Sequence, residues 1–250
     1  MFREEEKYYI IEEFEKNGVI AAYTKKNAGN MSDFCFNGDD RQVENREEVI
    51  KILGIDGQKQ VFSHQRHTND VKIIEKNTEK LIYDGIDGFI TDRKDIAIFT
   101  FYADCLPLFF LDIKNKVIGV AHSGWPGTYK EMLKTMVLKM KGHYGTEARD
   151  ILLGIGIGIS VEDYEVGNDF YEKFYEKFEK DLVENSFMIK KETGKYHFDN
   201  IKFNKLTALK LGIPENNIII SEKSTTENEF HSHRRDKEKA GRAAGIVAFR

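Results

Sequence analysis

The sequence predicts a mixed α/β fold, α+β in arrangement, with β-sheets packed against helices. Three observations lead there. Short apolar runs bounded by turn residues recur along the chain and have the length of core strands. Stretches with the helical period are interleaved with them throughout. With 250 residues the chain can bury a sizeable core. No internal repeat, low-complexity tract or Pro/Ser-rich linker divides it, so a single domain over residues 1–250 is expected.

In chain order, Tyr8–Phe14 and Val19–Tyr23 read as strands joined through Asn17-Gly18, a hairpin-turn pair. Lys25–Asn30 is polar and loop-like. Asp39-Asp40 opens a helix that places Val43, Val49, Ile50 and Leu53 mostly on one face and stops at Gly54. Gln60–Ser63 and Val71–Ile74 are strands, with His64 and His67 in their connection. Gly88–Thr91 is a strand entered through Asp87. Ile96–Tyr102, Leu108–Leu111 and Val117–Ala121 are three further strands.

Thr128–His143 carries Leu133, Met136, Val137 and Met140 at helical spacing, with Thr128 and Glu131 as a candidate capping box. Ile151–Leu153 leads into the glycine-rich run GIGIGIS at 154–160. Asn168–Leu182 is an amphipathic helix whose stripe of Phe170, Phe174 and Phe178 reads as core. Asn200–Leu211 is a helix stopped by Gly212 and Pro214. Asn217–Ile220 is a strand, Ser221–Lys239 is polar, and Ala244–Phe249 is the last strand.

Composition narrows the functional classes. The chain is 40% hydrophobic and 32% charged, and no apolar run approaches the ~18 residues of a membrane span. The start, MFREEEKYYII, is acidic before it is apolar, unlike a signal peptide. Two cysteines, Cys35 and Cys105, make no disulfide framework, so a reducing, cytoplasmic setting is expected. A net charge of −4 without a basic stripe argues against nucleic acid as partner.

The stretch from Thr100 to Thr128 stands out. It holds Cys105, the single tryptophan and two of the three prolines. One strand stops at Ala103-Asp104-Cys105, another at His122-Ser123-Gly124-Trp125, so thiol and imidazole sit at strand ends that can meet. Catalytic zinc takes three protein ligands and keeps one position open, and His67, Cys105 and His122 can supply three. Each has a plainer reading: a buried small apolar residue for the cysteine, solvated turn residues for the histidines. A phosphate-loop reading of GIGIGIS fails, because no GK[ST] follows; close backbone packing explains its glycines. Arg234-Arg235, within FHSHRRDKEKAGR, offers forks that match phosphate or carboxylate, although a solvated charge run accounts for the composition.

These residues fall into an ordered pattern over nearly the whole chain that resembles the YfiH/laccase-domain family. The pattern comprises Gln65-Arg66-His67, Asp87-Gly88, ADCLP at 103–107 and HSGWPG at 122–127. GIGISVEDYEVG at 156–167, SHRRD at 232–236 and Ala240-Gly241-Arg242 follow, and GDDRQVENR at 38–46 matches upstream. The family was first described as multicopper polyphenol oxidoreductases and is now described as zinc-dependent purine nucleoside enzymes. The resemblance implies a single mixed α/β domain, with zinc favoured over copper and held by His67, Cys105 and His122. It implies phosphorolysis of adenosine, inosine or methylthioadenosine and deamination of adenosine.

On that basis a purine nucleoside and phosphate are the expected partners, with no nucleic acid or membrane, and the protein is a monomer or small homo-oligomer. Arg234, Arg235 and, more weakly, Lys25 are candidates for phosphate. Asp87, Asp104 and Cys105 are the catalytic candidates, the two aspartates as proton carriers or as supports of a ligand histidine. The chain departs from the family pattern at Lys25 and Pro126, where arginines are usual, at His233 for tyrosine and at Ile157 for proline. The alternatives are a Cys-His hydrolase using Cys105 and His122, a copper-dependent phenol oxidase, and a non-catalytic nucleoside-binding protein.

Overall fold

The computed structural model describes residues 1–35, 40–190 and 193–250. Two large sheets lie face to face. The seven-stranded one runs, edge to edge, Phe2–Glu4, Tyr8–Ile11, Val19–Thr24, Ala243–Phe249, Ile96–Tyr102, Lys59–His64 and Ile82–Asp84. The six-stranded one runs Ile218–Ile220, Ile151–Ile155, Leu106–Asp112, Val117–Ser123, Gly88–Thr91 and Val71–Ile73. Most neighbours are antiparallel. Lys59–His64 pairs parallel to both of its neighbours.

Alternation along the strands assigns the layers. Ile96 and Ile98 of one sheet, with Phe109, Leu111, Ile118 and Val120 of the other, share a cluster between the sheets. Ala97, Phe99 and Phe101 face the opposite way, against Val49, Ile50 and Leu53 of the Gln42–Leu53 helix. Leu108 and Phe110 face the Met132–Tyr144 helix and Ala208 of the Asn200–Lys210 helix. The result is helix, sheet, sheet, helices. Because both faces of each central strand are covered, these strands read as unbroken apolar runs.

A smaller three-stranded sheet, Glu165–Val166, Tyr196–Phe198 and Phe187–Ile189, packs with the Asn168–Lys177 helix around an aromatic cluster. Phe170 and Phe174 stack at 5.0 Å, and Phe174 and Phe178 lie 5.6 Å apart, so this stripe is core as expected.

Several sequence expectations need correction. Tyr8–Phe14 is not one strand; it ends at Ile11 and a helical turn, Glu12–Glu15, precedes Gly18 at φ +74°, so the connection is longer than a two-residue hairpin. The first long helix starts at Gln42 and its Val43 is 51% exposed, off the core face; Asp39 lies outside the described residues. Thr128–His143 is two helices, Trp125–Tyr129 and Met132–Tyr144, separated by Glu131 at φ +62°. The capping box does not form, because the Thr128 hydroxyl donates to Asn200 Oδ1 at 2.7 Å. Asn168–Leu182 breaks where Phe178 is extended, and Lys180–Ser186 follows as a separate helix. Gly154 does meet the packing expectation: a Cβ there would lie 2.3 Å from Ile11 Cδ1.

His231 seats the polar loop that leads to Arg234. It is buried, its Nε2–H donates to the Gly29 carbonyl, and its Nδ1 has no partner among the described residues. Burial, aided by the charges of Lys26 and Arg242, brings its pKa from near 6.5 down to about 4. The folded protein therefore holds this imidazole neutral while the unfolded chain protonates it. Stability tied to His231 is complete above pH 6.5 and is lost as pH falls towards 4. Denaturation across that window should show a shallower acid loss for His231→Gln than for the wild type; identical slopes would refute the assignment.

Candidate metal centre and active site

Strand pairing brings the chemical groups together. In the hairpin of Leu106–Asp112 with Val117–Ser123, His122 pairs with Pro107 and Ser123 with Leu106. Continuing that register sets Gly124 beside Cys105. A Cβ at Gly124 would lie 2.7 Å from Cys105 Sγ and 3.0 Å from His67 Cδ2, so only glycine leaves room for the thiol and imidazole. His67 arrives from the connection after Lys59–His64, in a left-handed conformation at φ +56°. The ligand atoms of His67, Cys105 and His122 lie within 4.8 Å of one another, and Cys105 Sγ is 3.6 Å from His67 Nε2. Donors ~2.0–2.3 Å from one tetrahedral ion stand about 3.3–3.8 Å apart. The sulfur–nitrogen separation falls in that range, and the two-nitrogen, one-sulfur donor set is one that zinc accepts.

Asp87 builds this arrangement. It is fully buried at the start of the Gly88–Thr91 strand, whose pairing of Gly88 with Ala121 sets it beside His122. Its carboxylate accepts three consecutive backbone N–H groups, from Arg66, His67 and Thr68, at 3.1, 3.0 and 2.9 Å. The Thr68 hydroxyl donates at 2.8 Å, and His122 Nδ1 donates to Oδ1 at 2.8 Å. The bond from Nδ1 orients the ring and leaves Nε2 to the thiol: a donor while the imidazole is charged, and the nitrogen that would ligate a metal once it is neutral. Burial alone would raise the pKa of Asp87, but the His122 contact and the Thr68 donors win and lower it to about 2. Gln65 locks the same turn to the neighbouring strand, donating to the Phe101 carbonyl at 3.0 Å and accepting the Phe101 N–H at 2.7 Å.

Burial opposes ionisation of Cys105, but the charge of His122 and hydrogen bonds from His122 and His67 outweigh it and bring the thiol down. His122 is raised in turn: burial lowers it, while the Cys105 charge and the Asp87 hydrogen bond more than compensate. The thiolate form favoured here is the one that binds a metal.

The three residues open on a cavity of about 590 Å³. Its aromatic walls include Trp125, Tyr164 and Phe34, whose ring stacks on His64 at 4.3 Å and 6°. Asn200, also on the wall, donates to the Ser123 carbonyl at 3.0 Å and accepts from Thr128, bracing the strand end that carries His122. Sequence reasoning missed these groups. They lie far apart in the chain, and only the YEVG and HSGW runs hinted at Tyr164 and Trp125.

The remaining candidates are placed less uniformly. Asp104 lines the cavity, but its oxygens accept the Thr225 hydroxyl at 2.7 Å and the Arg234 N–H at 2.5 Å, tying the polar loop to the strand end. The Arg234 side chain lines the cavity while donating to the carbonyls of Asp163 and Glu165. Arg235 does not reach the lining. It pairs with Asp236 and donates to the carbonyls of Thr226, Glu227 and Phe230. Lys25 is also off the lining, buried between Glu4 and Glu229 at 2.6 and 2.8 Å. Pro126 occupies the first turn of the Trp125–Tyr129 helix, where a missing N–H costs nothing.

Two substitutions check this construction. Asp87→Asn removes the charge that holds three N–H groups and the imidazole, so zinc affinity should fall ~10–100-fold, read by competition with a chromogenic chelator; unchanged affinity would show that Asp87 does not orient the site. With zinc as the added probe metal, Gly124→Ala should retain less of it per chain than the wild type while circular dichroism stays unchanged. A full complement of zinc in that variant would contradict the steric argument.

Comparison with known proteins gives the family. A family model described as multi-copper polyphenol oxidoreductase laccase matches residues 15–250. The purine nucleoside phosphorylase YlmD of Bacillus subtilis (strain 168) is 30% identical, with 93% of this chain and 89% of that protein covered. A purine nucleoside phosphorylase of Staphylococcus epidermidis, SERP0752, is also 30% identical, over 87% of this chain and 83% of its own. Among solved structures, the Bacillus licheniformis hypothetical protein YfiH superposes with a TM-score of 0.90 at 27% identity, covering 100% of this chain and 99% of that one. A match of this extent in both sequence and fold places the chain in the multi-copper polyphenol oxidoreductase laccase family, the YfiH-like proteins.

Proposed function

We propose that the protein is a zinc-dependent purine nucleoside phosphorylase of the cytoplasm, acting on adenosine, inosine or methylthioadenosine with inorganic phosphate. The observation that carries this reading is the convergence of His67, Cys105 and His122 at the floor of an aromatic-walled cavity. The names of the relatives support it. Among the described residues this is the one group of three or more metal-ligating side chains close enough to share an ion. That suits a single metal better than a multi-copper oxidase, which needs further ligands.

A zinc ion held there would supply Lewis acidity and a water acidified towards neutral pH. The chain's own residues do the rest. Trp125, Tyr164 and the Phe34–His64 stack give the cavity an aromatic lining that suits a purine. Asp87 is taken up by three backbone N–H groups, a hydroxyl and His122 and acts as a positioning residue, while Asp104 accepts one hydrogen bond on each oxygen and keeps acceptor capacity on the cavity wall as the proton carrier of this reading. In phosphorolysis the glycosidic C–N bond breaks and a C–O bond to phosphate forms. The proton given up by the phosphate hydroxyl ends on the purine. Adenosine deamination is a second reaction that an acidified water in this cavity would support.

One arrangement favours a rival. Cys105, His122 and Asp87 stand in series, as nucleophile, base and orienting carboxylate do in Cys-His hydrolases. His67 separates the two readings, because a hydrolase relay does not use it. Purified protein incubated with adenosine should release adenine and ribose 1-phosphate only when phosphate is added, and His67→Ala or chelation should abolish that release. Turnover that survives both treatments would transfer the chemistry to the Cys-His pair.

A further inference from the structure

The charge of the cavity is unbalanced. Arg234, Lys237 and Arg242 line it, and among the described lining residues Asp104 is the one carboxylate. Both Asp104 oxygens are held by the polar loop. A neutral nucleoside has no use for this surplus of positive charge, whereas an anionic co-substrate is drawn to it.

Arg234 and Arg242 each spend two of their five side-chain N–H groups, but on different nitrogens. The Arg234 fork is engaged: Nη1 donates to the Asp163 carbonyl at 2.9 Å, Nη2 to the Glu165 carbonyl at 3.3 Å, and the guanidinium covers the Tyr164 ring at 5.5 Å. Arg235 and Lys25 are paired with carboxylates away from the cavity. Arg242 is held through one nitrogen only. Its Nη1 donates to the carbonyls of Ala240 and Gly241 at 2.8 and 3.0 Å, and its backbone N–H donates to Asn30 Oδ1 at 2.9 Å. Nε and Nη2 have no partner among the described residues, so the guanidinium is fixed in place with its whole Nε–Nη2 edge open, whereas both terminal nitrogens of Arg234 are tied. Lys237 likewise has no carboxylate partner there, and it stands at φ +53°, a backbone conformation unusual for lysine and frequent at functional sites.

We propose that Arg242 and Lys237, rather than the Arg234-Arg235 pair, form an oxyanion subsite of this cavity that takes inorganic phosphate. The naming of phosphate rests on the phosphorolysis reading; the subsite itself rests on charge and unspent donors. A fixed guanidinium meets two phosphate oxygens at once, and the flexible ammonium adds a point charge.

Direct binding tests this without turnover. Inorganic phosphate is titrated into the purified protein by calorimetry, and adenosine 5′-monophosphate in a parallel series. Arg242→Gln should weaken phosphate binding about tenfold or more, the loss of a charge-assisted pair. Lys237→Gln should weaken it several-fold, and adenosine binding should change less than twofold in both variants. Arg234→Gln removes a charge from the cavity but no open guanidinium edge, so it should cost clearly less phosphate affinity than Arg242→Gln. Lys237 is exposed, so its variant folds whatever happens at 242 and carries the test alone if Arg242→Gln does not fold. Unchanged phosphate affinity in Lys237→Gln, or a loss in Arg234→Gln equal to that in Arg242→Gln, would overturn the assignment. So would Arg242-dependent binding of the monophosphate with none of inorganic phosphate. If phosphate binds through Arg242 and Lys237 yet no ribose 1-phosphate is formed, the phosphorolysis reading fails and the subsite stands.

Discussion

One buried carboxylate organises the centre of this protein. A charge out of contact with water is costly unless its lone pairs are satisfied. Asp87 meets that condition with three backbone N–H groups, a hydroxyl and an imidazole. The same five contacts have functional consequences. They stabilise the turn in which His67 takes a left-handed backbone, and they aim His122 so that Nε2 faces the thiol. The strand that carries Asp87 also accepts the His122 N–H through its own backbone carbonyl at 2.7 Å. Sheet pairing and site assembly are thus one event.

The rest of the fold supplies rigid walls around that point. The two sheets bury each other's inner faces, and the ends of their central strands meet at the cavity. Asp104, itself in a left-handed conformation at φ +81°, fastens the distant polar loop to the metal strand through Thr225 and Arg234. On the other side, a buried network of Ser123, Thr128, Asn200 and Asn204 fixes the end of the His122 strand to the helices.

What was legible in the sequence follows from this division. Ile96–Tyr102 and Val117–Ala121 announced themselves because both of their faces are apolar, and His67, Cys105 and His122 because they end or join such strands. Short edge strands such as Ile82–Asp84 and Phe187–Ile189 carried no such signal, since two of the three residues in each are exposed and none is buried. Helix breaks at Glu131 and Phe178 were invisible because the apolar period runs on through them, while backbone angles and the Thr128–Asn200 bond decide otherwise. Charge runs were the hardest to read. Arg235 and Arg242 sit seven positions apart in one polar segment, yet carbonyls and Asp236 absorb the first fork and leave the second partly open. Only tertiary contacts separate a structural arginine from one available to a ligand.

The central claim is that Asp87 positions two imidazoles and one thiolate for a single metal ion, proposed to be zinc. X-ray absorption at the zinc edge on the purified protein tests it most directly. The account predicts one sulfur scatterer at ~2.3 Å and two imidazole nitrogens at ~2.0–2.1 Å, with a light atom completing four-coordination. A zinc shell without sulfur, or with only one imidazole, would contradict it.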